Sequence, residues 1–266
     1  LSFPLIPDAM LLMIISGSGR YILGLYSSFE HVAVYSVAYM FANIFNLLIM
    51  GPLGQALTPI LYELFAKSTD SYKKSLELIF KYYWILFPSV ILLFFTFFPE
   101  IFPLFVNPEY QVAFNLLVIM MFGLLISGGG GVLSTTIVLK EKTAFSFLIT
   151  SVSAVTSICV NLFLAEYNAY GAAIACLASF SVQGLLVIYF TQCWLPVNLN
   201  PILLFKNALL FLLVAYLYYL IGRSGLNTVT MILLKLIVWG IYFGLVLKMD
   251  SFFMDLRLFL QKKTVI

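Results

Sequence analysis

Long apolar stretches, each closed by a short polar cluster, set the rhythm of this chain. The first runs over 5–26 and ends at the turn Ser27-Ser28-Phe29-Glu30-His31. The second, 32–57, is expected to run on past Pro59 into a polar hinge holding Lys67, Asp70, Lys73 and Lys74. A third covers 80–98 with Pro88 inside it, and the prolines that follow (Pro99, Pro103, Pro108) predict a helix-breaking loop. Further stretches cover 112–139, closed by Lys140-Glu141-Lys142, then 145–165 and 171–193. A connector with Pro196 and Pro201 leads to the last two, 202–221 and 229–247. A helix of about 20 apolar residues crosses the hydrocarbon core of a bilayer, and each stretch is near or above that length. From Lys248 onward, Phe252, Phe253, Leu256, Phe259 and Leu260 alternate with charges, which predicts a short amphipathic helix on the membrane surface over 250–266.

Composition settles the solvent. The chain is 63% hydrophobic and 9% charged with mean hydropathy +1.07, whereas soluble domains carry about 25% charged residues. Such a chain cannot cover its surface in water, and no soluble globular domain is expected. The apolar stretches are continuous rather than alternating, which excludes a β-barrel. The predicted fold class is all-α, a polytopic transmembrane bundle of about eight spans.

The basic residues then orient it. If Leu1 starts in the cytoplasm, inner segments hold Lys67, Lys73, Lys74, Lys81, Lys140, Lys142, Lys206, Lys248, Arg257, Lys262 and Lys263, and outer loops hold only Arg223. Eleven against one is a strong positive-inside bias and predicts both ends cytoplasmic. Outer loops carry Glu30, Glu100, Glu109 and Glu166 and are short, leaving no room for an external catalytic domain. The chain opens on Leu1 almost directly into an apolar stretch, so a preceding N-terminal part is expected.

Two basic residues lie within spans, Arg20 and Lys235. A buried arginine costs about 2.5–3.5 kcal/mol on insertion scales, so Arg20 is expected to face a wet cavity or a partner, with snorkelling to the outer interface as the alternative. The small residues Ser16, Gly17, Ser18 and Gly19 before it leave room for water or another backbone. In the second span Tyr35, Tyr39, Asn43 and Asn46 fall within an arc of roughly 80°, a polar stripe that needs another helix or water. Lys235 sits near the end of the eighth span, where it snorkels or meets an anionic head group. Asp8 is the one acid placed to enter a cavity, or to cap the first helix after Pro7.

The remaining motifs are structural. Ser127-Gly128-Gly129-Gly130-Gly131 lacks the Gly-Lys-Ser/Thr of a phosphate loop and predicts a bend or a tight helix crossing. Gly240 and Gly244 form a G-x-x-x-G pair that predicts close packing. Cys159, Cys176 and Cys193 have no metal-ligand spacing and are expected as buried free thiols. His31, the lone histidine, makes neither a metal cluster nor a Ser-His triad. No catalytic residues, metal or cofactor are predicted, no nucleic-acid partner, and no enzyme. The chemistry available is binding and movement.

Certain segments resemble a known family. Phe3-Pro4-Leu5-Ile6-Pro7 followed by Ser18-Gly19-Arg20-Tyr21-Ile22-Leu23 resembles the opening of the second half of O-antigen flippase-like proteins, the polysaccharide transporter family of the multidrug/oligosaccharidyl-lipid/polysaccharide exporter superfamily. Val34-Tyr35-Ser36-Val37-Ala38-Tyr39, Lys140-Glu141-Lys142-Thr143, Asn161 and Tyr170-Gly171-Ala172-Ala173 match in order and spacing over nearly the whole chain. The family usually has an acid before the arginine matched by Arg20, where Gly19 stands here. The resemblance implies a second six-helix lobe over 1–194, two additional helices over 195–249 and a cytoplasmic tail over 250–266. It implies that undecaprenyl-pyrophosphate-linked sugar units are flipped across the inner membrane, with an N-terminal half of the same protein and membrane lipids as partners. A cationic cavity holding Arg20, with Tyr35, Tyr39, Asn43, Asn46 and Lys235 as further substrate-binding candidates, would suit that cargo.

Two other readings stand beside it. A multidrug antiporter of the same superfamily would place carboxylates deep in its spans, and here only Asp8 approaches that. A membrane glycan polymerase or ligase would need a large external loop with basic and catalytic residues.

Overall fold

In lipid, a spanning segment must satisfy its backbone hydrogen bonds internally, which for continuous apolar stretches means helix. The computed structural model describes residues 5–225 and 227–249, which are helical apart from short connections, with no strand among the described residues. The helices are α1 (Leu5–Tyr26), α2 (Phe29–Phe45), α3 (Gly51–Lys67), α4 (Thr69–Phe105), α5 (Ala113–Leu139), α6 (Thr143–Phe163), α7 (Asn168–Trp194), α8 (Pro201–Gly222) and α9 (Thr228–Met249). A π-helical turn, Asn46–Met50, joins α2 to α3 without a break. Counted as spans these make eight helices long and apolar enough to cross a membrane, the mark of a multi-pass membrane protein. The tail predicted over 250–266 lies outside the described residues.

The third span differs from expectation. Pro99 and Pro103 do not end it, and α4 continues to Phe105. A proline removes one donor and frees one carbonyl, a defect that membrane helices tolerate where neighbours re-satisfy the backbone. The break falls instead at Asn107, with a short 3-10 turn over Pro108–Tyr110. At the other end the polar hinge is the start of the helix itself. The Ser68 hydroxyl accepts from the Ser71 N–H at 3.5 Å, and Asp70 sits in the first turn. At 1.5 Å per residue α4 is about 55 Å long, well beyond the hydrocarbon thickness.

The described residues form two units, 5–80 with 102–198, and 81–101 with 199–249. The middle of α4 therefore groups with α8 and α9, whereas the expected division fell at 194. In the first unit, α5 and α7 cross at backbone contact. A Cβ on Gly130 would lie 2.7 Å from the Gly184 Cα, and one on Gly123 would lie 2.9 Å from the Leu177 Cα. The glycine run thus serves a tight crossing within an unbroken helix. α1 packs on α6 through the buried Ser18 and Ser157 hydroxyls, 2.9 Å apart.

Polar clasps close both ends of this unit. At one, the Tyr72 hydroxyl meets Thr136 Oγ1 at 2.8 Å, and the Asn198 N–H donates to Glu77 Oε1 at 2.8 Å. At the other, the Ser27 hydroxyl donates to Asn168 Oδ1 at 2.7 Å, and His31 Nδ1 lies 2.9 Å from the Ser28 hydroxyl. His31 thus sits in the first turn of α2, beside its Ser28 cap.

In the second unit, the Tyr218 hydroxyl donates to the Lys235 carbonyl at 2.9 Å and lies 2.8 Å from Thr96 Oγ1. The Trp239 indole N–H donates to the Ser89 carbonyl at 2.9 Å. Gly240 and Gly244 face open space, so the close contact predicted for the G-x-x-x-G pair does not form among the described residues.

Candidate functional site

Arg20 lies on α1 and is exposed, its guanidinium carbon 5.0 Å from the centroid of the Tyr39 ring. That ring stacks in turn on Tyr35, with centroids 6.2 Å apart. A cation over an aromatic face is attracted by the ring quadrupole while its N–H donors stay available. The helices set this geometry. Tyr35 and Tyr39 are one turn apart on α2, and Gly19 on α1 gives Tyr35 its place. A Cβ at Gly19 would come within 2.7 Å of the Tyr35 hydroxyl, and Tyr35 is only 1% exposed and cannot retreat. Any side chain at this position would have to displace the tyrosine, which gives a physical reason for glycine here.

The polar stripe continues from Tyr39 through Asn43 to Asn46. These three line a small hollow of about 30 Å³ against Met120 and Leu124 of α5 and Cys176 and Phe180 of α7. The π-turn begins at Asn46, where the Gly51 N–H reaches back to the Asn46 carbonyl, and there the helical register shifts. Asn43 and Asn46 are exposed, Tyr39 is half-buried, and Tyr35 is buried. Structure thus brings Arg20, Tyr35 and Tyr39 into one cluster with the asparagines alongside.

A second, larger feature holds none of these residues. A cleft of about 390 Å³ in the same unit is lined by Asp8 and Leu12 of α1, Thr58 and Tyr62 of α3, and polar residues of α5, α6 and α7. Among the described residues lining it, Asp8 alone is charged. The Ser146 hydroxyl donates to Asp8 Oδ2 at 2.9 Å, while Asp8 Oδ1 is buried with no hydrogen-bond partner. Several wall hydroxyls are turned inward on their own helices. Ser134 donates to the Gly131 carbonyl at 2.7 Å, Thr58 to that of Gly54 at 2.7 Å, and Thr150 to that of Ser146 at 3.1 Å. On the α5–α7 side the Ser127 hydroxyl donates to Gln183 Oε1 at 3.3 Å.

Sequence reasoning reached Asp8 as the acid placed to enter a cavity, and missed the hydroxyls around it. The signal lay in their helical spacing, Ser127 with Ser134 and Ser146 with Thr150, which sets each pair on one helix face.

Lys235 belongs to the second unit, where it is 5% exposed. Of the cysteines only Cys176 is buried as expected, and Cys159 and Cys193 are exposed. Among the described residues no three His, Cys, Asp or Glu side chains gather to hold a metal. Compared with protein-family models, curated proteins and solved structures, the chain matches none, so the functional reading rests on its residues and their geometry.

Proposed function

We propose that this chain moves lipid-linked oligosaccharide units of the undecaprenyl-pyrophosphate type across the cytoplasmic membrane, for the synthesis of a surface polysaccharide. The observation that carries the reading is Arg20. An exposed guanidinium stands well along a span-length helix, braced by an aromatic face, with an uncharged polar stripe running on from it. An arginine presents a planar fork of donors matched to phosphate oxygens, and its charge persists at any accessible pH. Lipid-facing arginine without such a task costs energy and brings nothing in return.

The family resemblance supports the same reading and adds a counterpart six-helix lobe against which this one would rock. The charge bias supports a cytoplasmic location for the α1 start, and with it both ends of the chain. That choice would open the Asp8 cleft toward the side where the cargo is loaded.

Complementation of a flippase-null strain tests this. Wild-type full-length protein is expected to restore surface glycan. Arg20→Ala is expected to insert at normal levels and to restore about a tenth of it or less, as befits loss of one charged phosphate contact. Undiminished export by Arg20→Ala removes the residue from the path.

A second reading has one observation in its favour. The Asp8 carboxylate, with one oxygen unpartnered, is what an antiporter of cationic small molecules would need. Drug resistance conferred on a sensitive strain, with no effect on surface glycan, would select it.

A further inference from the structure

The Asp8 cleft has a one-sided hydrogen-bonding character. A hydroxyl carries one proton and two lone pairs. Once the protons of Ser134, Thr58 and Thr150 are committed to helix carbonyls, their oxygens face outward as acceptors only. The Ser146 proton is committed to Asp8 itself. Asp8 adds a carboxylate oxygen with no partner. The wall is therefore rich in acceptors and carries a single negative charge.

From this we propose that the cleft is a subsite for an uncharged sugar ring, and that it discriminates against acidic sugars. The inference rests on the reading of the chain as an oligosaccharide translocator and names the part of the cargo that this end of the lobe would hold. A sugar ring brings several hydroxyl donors on a small body, the complement of such a wall. Its remaining lone pairs have a partner in the Gln183 amide, whose Oε1 already accepts from Ser127 while its NH₂ is left to donate. Tyr62 supplies an aromatic flank.

Size agrees, since small-molecule sites run from roughly 300 to 1,000 Å³ and this cleft measures about 390 Å³. A lone metal ion would instead need oxygens converging at about 2.3–2.6 Å, and one Asp8 oxygen is already taken by Ser146. A uronic acid would bring its carboxylate against Asp8 and a row of acceptors, with nothing cationic among the described lining residues to meet it.

The test is saturation-transfer NMR on the full chain in detergent micelles. The probes are the methyl glycosides of glucose, galactose, mannose and N-acetylglucosamine, with methyl glucuronide as the acidic counterpart. At least one neutral glycoside is expected to receive saturation from the wild type, and the glucuronide none. Asp8→Ala is expected to weaken the neutral ligand about tenfold, the scale of a hydrogen bond to a charged group. Asp8→Asn, which keeps the shape, is expected to let the glucuronide bind. Thr58→Val removes one acceptor from an exposed rim without touching Asp8 and is expected to cost about threefold, so the proposal stays testable should the Asp8 variants fail to fold.

Silence from all four neutral glycosides overturns the proposal. So does a glucuronide that binds the wild type as well as they do, or binding indifferent to every substitution. Sodium that raises the melting temperature through Asp8 while no glycoside binds also overturns it, in favour of a cation site. Failure here is distinguishable from failure of the transport reading. Glycan export without glycoside binding refutes the subsite alone, and glycoside binding without export refutes translocation alone.

Discussion

Near the start of α1, Asp8 lines a cleft of about 390 Å³ and keeps one carboxylate oxygen without a partner. Three turns further along the same helix, Arg20 lies 5.0 Å over the Tyr39 ring, next to a hollow of only about 30 Å³. Both charges would be costly in lipid, and the protein handles them in opposite ways. Around Asp8 it provides space and turns the protons of Ser134, Thr58 and Thr150 onto their own helices, so that Ser146 alone donates to the carboxylate. Around Arg20 it provides an aromatic platform, with Tyr35 buried against Gly19 and Tyr39 stacked upon it. The acidic region is roomy and unsatisfied, the basic one tight and braced. On the proposed reading, a cargo with an anionic head and hydroxyl-bearing sugars would present chemistry of both kinds, one for each region.

That contrast breaks most sharply at Tyr35, whose ring is buried on the basic side and has no counterpart at the cleft. Tyr35→Ala is expected to cost about 3 kcal/mol, since loss of a buried aromatic leaves a cavity. It should also free the Tyr39 ring and so abolish glycan export, and SDS-induced unfolding in mixed micelles checks the first part. A cost below about 1 kcal/mol would mean that the platform is not packed as described. Next in size is Gly184→Val, which acts on the frame both regions share. The α5–α7 crossing has no space for a side chain there, so overpacking of about 1–3 kcal/mol is expected. Because both helices line both features, it should depress glycoside binding at the cleft and export together. A Gly184→Val protein that unfolds normally, or that loses one function alone, would mean the two regions do not share that crossing.

How far these features could be read from the sequence depended on how local their causes are. The spans were legible because a lipid-facing helix needs only its own apolar residues, and α5 through α9 begin and end within a few positions of the expected limits. The proline rule misplaced the end of α4 because a proline costs a helix one donor and one freed carbonyl without having to end it, and α4 carries both Pro99 and Pro103 through to Phe105. Gly19 and Gly184 matter through what faces them, Tyr35 on α2 and the backbone of α5, and no pattern along the chain announces a neighbour. The cleft was the least legible feature. Its wall comes from five helices, and a serine or threonine in a span reads the same whether its hydroxyl faces a cavity or a carbonyl. Asp8 stood out by charge, yet whether it capped a helix or lined a cavity was decided by Ser146, far away in the chain.

The finest test of the comparison isolates the Arg20–Tyr39 contact from everything around it. Tyr39→Leu keeps an apolar body on α2 but removes the ring face, and Arg20→Met keeps the stem but removes the charge. A cation–π contact at an exposed site contributes about 0.5–1 kcal/mol, so a double-mutant cycle on stability should return a coupling of that size. The Asp8→Asn substitution, made in each member of the cycle, should leave the coupling unchanged, because the cleft and the platform touch α1 on different turns. Additive single effects would show that Arg20 merely lies near Tyr39 without being held by it. The platform would then be an aromatic packing feature that leaves the guanidinium unheld.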